Sequence, residues 1–190
     1  MRAFILAGGF ATRLWPLTEK RAKPLLPLAG KALITHLIEK IPKDIPVTVS
    51  TNAAFAEGFR EWLTTIDRPN AKPGEALQER RRVELIVEET RHDDQKLGAL
   101  GAVAQWIENE HIDEDVLLLT GDNYLGFSLE TFIEAYQPST PILAAHDIQD
   151  LERASAFGTV ILETQNWAML LMWVTIGLVF LWADVKKNHT

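Results

Sequence analysis

The sequence predicts an α/β fold, a mainly parallel sheet with helices on both faces. Short apolar runs alternate with amphipathic stretches along the chain, the pattern of repeated strand–helix units. The runs are almost wholly apolar, as strands buried on both faces must be. Chemistry-bearing residues follow two of the runs directly: Gly8-Gly9 after the first and Gly121-Asp122 after the fourth. In sheets of this kind ligands sit beyond the carboxyl ends of the strands, so both clusters can face one crevice.

The elements follow in order. Residues 3–7 are an apolar run short enough to be a buried strand. Residues 32–41 place Leu33, Leu37, Ile38 and Ile41 on one helical face, with Glu39 and Lys40 outside. Residues 46–50 read as a second strand. Asn52 can cap the next helix, along which Phe55, Phe59, Trp62, Leu63 and Ile66 recur at helical spacing. Two prolines and a glycine make 67–77 a loop. Residues 83–87 form a third strand, and a helix through 102–108 buries Val103, Trp106 and Ile107. Residues 116–119 form a fourth strand. Ser128 can cap a short helix with Leu129, Phe132, Ile133 and Tyr136 inward, and 142–145 and 157–162 are two further strands. No internal repeat or low-complexity segment interrupts this order.

Bulk properties narrow the function. A chain of 190 residues forms one core of ordinary size. Its formal charge of −7 argues against a broad nucleic-acid footprint. Cysteine is absent, which excludes disulfides and thiolate metal sites and fits a reducing compartment. The apolar run near the N-terminus is too short for a signal peptide, so a cytoplasmic location is expected. The five histidines show no metal-ligand spacing, and Arg80-Arg81-Arg82 reads as a solvated face.

The stretch from Phe4 to Pro27 is the centre of the chemistry. Gly8 and Gly9 permit positive φ and a close approach of backbone to ligand. Thr12, Arg13 and Lys23 follow, a hydroxyl and two cations on a loop pinned by Pro16, Pro24 and Pro27. Backbone N–H groups, a guanidinium fork and an ammonium together suit a polyphosphate. The loop lacks the Gly-Lys-Ser/Thr ending of a Walker motif and the GxGxxG spacing of a dinucleotide fingerprint. At the second cluster, residues 117–123 (LLLTGDN) drive a strand into a carboxylate. By itself that carboxylate either caps the turn or ligates Mg²⁺, a hard cation that also holds substrate phosphates.

Taken together, LAGG, TRL, x-PLT, KPLLP and GK within about thirty residues resemble the signature of the sugar-1-phosphate nucleotidyltransferases, such as glucose-1-phosphate thymidylyltransferase and mannose-1-phosphate guanylyltransferase. The departures are Ala11 where that family usually has Gly, and Ala22 and Ala32 where it has Pro. The resemblance implies a three-layer αβα, Rossmann-like domain of the nucleotide-diphospho-sugar transferase type. It assigns nucleotide binding to Leu6, Ala7, Gly8, Gly9, Thr12 and Arg13. It adds Gly98, in a small-residue turn whose backbone lies against the base. Phe157-Gly158-Thr159-Val160 resembles the family's Tyr-Gly-Val-Val, from which Gly158 carries over as a sugar contact.

The implied reaction is attack of a sugar 1-phosphate on the α-phosphorus of a nucleoside triphosphate, giving a nucleoside-diphosphate sugar and pyrophosphate. The attacking oxygen is already anionic, so no general base is needed. The resemblance makes Arg13, Lys23 and Asp122 the catalytic residues. Arg13 neutralises the leaving pyrophosphate, Lys23 bridges the α-phosphate and the incoming phosphate, and Asp122 holds Mg²⁺. Two other readings stay open at this level. One is a remnant that binds triphosphate and Mg²⁺ without completing transfer; the other is a cytidylyltransferase acting on phosphocholine or a related alcohol phosphate. The base, the sugar and any homo-oligomeric state are not legible.

The resemblance covers about residues 1–163 and then stops, as if truncated. Residues 164–183 carry no charge and hold three of the six tryptophans. Three readings of this apolar tail, 164–190, stand side by side. A membrane segment at 167–183 would attach the protein through its C-terminus, with an apolar length of about 26 Å and Trp167 and Trp182 as interfacial anchors. A buried helix or strand pair would complete the domain. A replacement of the family's usual ending would have no selected role. Lys186 and Lys187 count against the first, because they favour a cytoplasmic C-terminus and so place the nucleotide domain outside.

Overall fold

The computed structural model describes residues 1–66, 82–90, 98–138, 140–145, 149, 150, 152 and 180–182. Strand β1 is Arg2–Leu6, followed by 3-10 turns at Thr12–Leu14 and Lys23–Leu25. A small hairpin of β2 (Pro27–Leu28) and β3 (Lys31–Ala32) leads into α1 (Leu33–Lys40). Then come β4 (Val47–Asn52), α2 (Ala56–Ile66), β5 (Val83–Glu88) and α3 (Gly98–Asn109). The chain continues through β6 (Val116–Thr120), α4 (Leu129–Glu134), β7 (Ile142–Leu143) and β8 (Phe180–Trp182). The main sheet runs β5-β4-β1-β6-β8-β7. β5, β4, β1 and β6 are mutually parallel, whereas β8 is antiparallel to both of its neighbours.

The alternation of side chains along each strand sorts the core into two layers. Ala3, Ile5, Val47, Val49, Leu117 and Leu119 face one side, where they pack with Ile34 and Leu37 of α1, Phe59 and Trp62 of α2 and Leu129 of α4. Phe4 faces the other side and stacks on Trp106 of α3, with ring centroids 4.1 Å apart. Leu6, Ile86 and Leu118 complete that smaller cluster. Helices on both faces of a largely parallel sheet make the expected three-layer αβα arrangement. All six residues of β4 are buried, which accounts for its run of Val, Thr and Ser with no charge.

Local chemistry sets most element boundaries. Helix α1 stops because Ile41 precedes Pro42, and a residue before proline is driven to extended backbone; Ile41 has φ −76° and ψ 135°. Asn52 caps the turn into α2 as expected, its Oδ1 accepting the Phe55 N–H at 3.1 Å. Ser128 Oγ accepts the Thr131 N–H at the start of α4. At the opposite edge of the sheet, Glu114 accepts from the chain's terminal ammonium at 2.9 Å and from Arg2 Nε at 3.0 Å. Those bonds, the terminal one foremost, hold its carboxyl below its ordinary value despite opposing desolvation.

Several expectations shift. Helix α3 begins at Gly98, four residues before the predicted 102. The hairpin of β2 and β3 was not foreseen. Its two turn residues, Ala29 and Gly30, both lie at positive φ (47° and 87°), and an alanine in the first place conceals the usual turn signal. Strand β7 covers only Ile142 and Leu143 of the expected 142–145. The loop at 67–77 and the strand at 157–162 lie outside the described residues. Within the apolar tail, Phe180–Trp182 forms β8 between β6 and β7, so the last part of the expected segment 167–183 is a strand of the sheet. The rest of 164–190 lies outside the described residues. No helix among the described residues is long and apolar enough to cross a membrane.

Candidate active site at the carboxyl edge of the sheet

Strands β5, β4, β1 and β6 end together, with Asn52 opposite Glu88 and Leu6 opposite both Ser50 and Thr120. The glycine loop leaves from this edge. Ala7 is buried and its N–H donates to Ser50 O at 2.8 Å, while Leu6 O accepts the Gly121 N–H at 2.8 Å. Gly8 O accepts from Asn52 Nδ2 at 2.8 Å, which ties the loop to the neighbouring strand. A Cβ at Gly9 would meet nothing within 4 Å, so that position is open to a ligand.

Past the glycines the backbone takes a special turn. Ala11 sits in the left-handed region, φ 46° and ψ 42°, and caps the 3-10 turn that carries Thr12 and Arg13. Glycine is the residue suited to such a conformation, which gives the departure at Ala11 a backbone meaning. Buried Thr18 Oγ1 donates to Ala11 O at 2.8 Å and closes the turn. Thr12 and Arg13 are exposed, and Arg13 makes no ion pair among the described residues.

Lys23 and Asp122 meet although 99 residues separate them. Lys23 Nζ donates to Asp122 Oδ2 at 2.8 Å, with both side chains partly exposed. Asp122 stands there because Gly121 lets β6 end hard against β1. A Cβ at Gly121 would lie 3.2 Å from Ala7 Cβ, 3.3 Å from Ile5 Cγ2 and 3.3 Å from Leu6 O. The next residue, Asn123, is buried with both amide atoms unpartnered. Among the described residues no group of three or more His, Cys, Asp and Glu could hold a metal by itself. One accessible carboxylate at this edge does suit Mg²⁺, which takes one or two protein carboxylates and completes its shell with phosphate and water.

The fold therefore brings Leu6, Ala7, Gly8 and Gly9 to one edge and joins Lys23 to Asp122. Gly98 is the first residue of α3, exposed, with φ 73°. Gly158 lies outside the described residues. Sequence reading missed Ser50 and Glu88, which end beside Gly8: Ser50 Oγ donates to Glu88 Oε1 at 2.6 Å. Their available signal was weak: both strands carry other polar residues, Thr48 and Thr51 in β4 and Glu84 in β5. A groove of about 1110 Å³ lies elsewhere, between α1, α2 and the segment around Lys20 and Arg21. Its lining includes neither Gly8 and Gly9 nor Lys23 and Asp122, and it mixes lysines with Glu39, Glu57 and Glu61. Its four cations among the described residues, Lys20, Arg21, Lys31 and Lys43, are interspersed with those three carboxylates, and none of the residues singled out for phosphate binding lines it.

Comparison with known proteins bears on the family and the fold. The model of the nucleotidyl transferase family matches residues 2–169, six residues beyond the expected limit at 163. The small subunit of wheat (Triticum aestivum) glucose-1-phosphate adenylyltransferase is 30% identical over 174 residues, which is 85% of this chain and 35% of the wheat protein. This chain thus spans about a third of the length of that relative. Among solved structures, a candidate glucose-1-phosphate thymidylyltransferase from Bacillus anthracis, in complex with a sucrose, superposes with a TM-score of 0.70 at 19% identity, over 96% of this chain and 71% of that one. HddC from Yersinia pseudotuberculosis, complexed with GMP-PN, gives 0.61 at 18% identity, over 94% and 72%.

Proposed function

The chain belongs to the nucleotidyl transferase family, and from that premise we propose that it transfers a nucleoside monophosphate from a nucleoside triphosphate to a sugar 1-phosphate, releasing pyrophosphate. The observation that carries this reading is the Lys23–Asp122 pair at 2.8 Å, at the same strand edge as the open backbone of Gly9. A cation, a carboxylate and bare N–H groups converge where two polyanions must be brought together.

Holding those polyanions against their repulsion is the main task, and charge stabilisation at the transition state is the second. Lys23 neutralises the α-phosphate and the incoming phosphate in this reading. Arg13, on the exposed turn beyond Ala11, neutralises the departing pyrophosphate. Leu6, Ala7, Gly8, Gly9, Thr12 and Gly98 line the nucleotide, and Gly158 meets the sugar. Asp122 would hold Mg²⁺, which when bound supplies charge neutralisation on the triphosphate oxygens. Triphosphate substrates make a cytoplasmic setting the natural one.

The experiment is pyrophosphate release by the purified chain with Mg²⁺, four triphosphates and a panel of sugar 1-phosphates, with Asp122→Ala as control. Release that requires Asp122 establishes the transferase and names both substrates. Triphosphate binding without release sinks the transferase reading in favour of a nucleotide-binding remnant.

A further inference from the structure

We propose that Asn52 is the positioning residue of the glycine loop, holding the Gly8 carbonyl so that the Gly9 N–H is aimed at the triphosphate. The proposal rests on the nucleotidyl-transfer reading above. Asn52 closes β4 and is 1% exposed, so any effect it has on a ligand passes through its neighbours. Its amide is engaged at both ends: Nδ2 donates to Gly8 O at 2.8 Å and Oδ1 accepts the Phe55 N–H at 3.1 Å. Turning the amide over would set oxygen against oxygen at Gly8 and N–H against N–H at Phe55. The two bonds therefore fix its orientation together.

Two adjacent glycines leave this part of the loop free to turn unless something holds it. The Ala7 N–H, bonded to Ser50 O at 2.8 Å, fixes the loop where it leaves β1. The Asn52 amide fixes the next peptide along. That unit, Gly8–Gly9, is planar and trans, so its C=O and N–H point in opposite directions. With the carbonyl drawn to Asn52, the Gly9 N–H points away from β4. In the order β4-β1-β6, the far side of β1 from β4 is that of β6, beyond whose end Asp122 stands.

The donor so aimed is unused. No hydrogen bond takes up the Gly9 N–H among the described residues, Gly9 is exposed, and a Cβ there would meet nothing within 4 Å. An ionised phosphate oxygen makes a strong bond to such an N–H. Because the peptide is already held, the loop need not be ordered at the moment of binding, and the affinity keeps what that ordering would cost. Asn52 thus offsets the freedom that the two glycines bring.

The test compares wild type, Asn52→Ser and Asn52→Ala in the full 190-residue chain. Serine keeps an oxygen for the Phe55 N–H but is too short to reach Gly8 O, whereas alanine removes both bonds. The urea midpoint, the ¹⁵N order parameter of the Gly9 amide and calorimetric binding of ATP, GTP, CTP, UTP and TTP with Mg²⁺ are measured for each. The midpoint should fall clearly in Asn52→Ala and little in Asn52→Ser. Both variants should lower the Gly9 order parameter from about 0.85 to below about 0.6 and weaken the best-bound triphosphate by about 10-fold. An order parameter or an affinity unchanged in Asn52→Ser makes Asn52 a helix cap only; that overturns the proposal and leaves nucleotidyl transfer standing. Binding of no triphosphate by wild type overturns both.

Discussion

Lys23 Nζ and Asp122 Oδ2 lie 2.8 Å apart, joining a proline-pinned loop to the end of β6. Each is the other's counter-charge, and in the proposed reaction each turns to phosphate or metal when substrate arrives. The pair is partly exposed, so its own contribution to stability is about 1 kcal/mol or less. Lys23→Ala and Asp122→Ala should therefore fold normally, with urea midpoints close to wild type. Turnover should nevertheless fall by about 10²-fold or more, because in the proposed reaction Lys23 acts on charge that develops during transfer. Unchanged pyrophosphate release in Lys23→Ala would remove it from the mechanism.

Ala11 holds a left-handed backbone, φ 46°, that costs an L-residue about 1–2 kcal/mol over glycine. Ala11→Gly relieves this and gives part of it back through the freer unfolded chain. The variant should be more stable by up to about 1 kcal/mol. A matched pair of denaturation curves decides the point, and a loss of stability would mean that the turn gains more from the alanine than its φ suggests.

Two glycines of the site should respond in opposite ways. Gly121→Ala forces a methyl to within 3.3 Å of the Leu6 carbonyl oxygen and should destabilise by about 1–3 kcal/mol while displacing Asp122. At Gly9 a Cβ meets nothing, so Gly9→Ala should leave the unfolding midpoint near wild type. Its expected effect is weaker triphosphate binding, read by calorimetry. Equal stability losses at both positions would contradict this division.

Glu114 ties the terminal ammonium and Arg2 to the start of β6, and its carboxyl is held below the ordinary 4.5. A depressed folded value means stability that is complete above the unfolded value and lost as pH falls through the folded one. Wild type should thus exceed Glu114→Gln by a small constant margin, under about 1 kcal/mol, at neutral pH. The margin should shrink only below pH 4.5. Denaturant midpoints for both proteins from pH 7 to 3 measure it, and a margin flat down to pH 3 would discard the assignment.

Local sequence carries what neighbouring residues decide together. Alternation told which runs were strands, helical spacing told which faces were buried, and a proline after Ile41 ended α1. The step at Gly8-Gly9 and the carboxylate after β6 were legible because each lies directly beyond an apolar run. The hairpin at Ala29-Gly30 was not, since its signal depends on a φ that alanine rarely adopts.

Partners distant in the chain were decided by tertiary structure. Periodicity states that a strand is buried but not which strand stands beside it. So the insertion of Phe180–Trp182 between β6 and β7 came only from the sheet order, although an inner strand does account for an apolar run there. Asn52 reaches Gly8 across 44 residues, Ser50 reaches Glu88 across 38, and Lys23 reaches Asp122 across 99. Those three contacts exist because parallel strands bring all their carboxyl ends to one edge. The sequence by itself determined which groups could bind phosphate; the order of strands along that edge decided which groups meet.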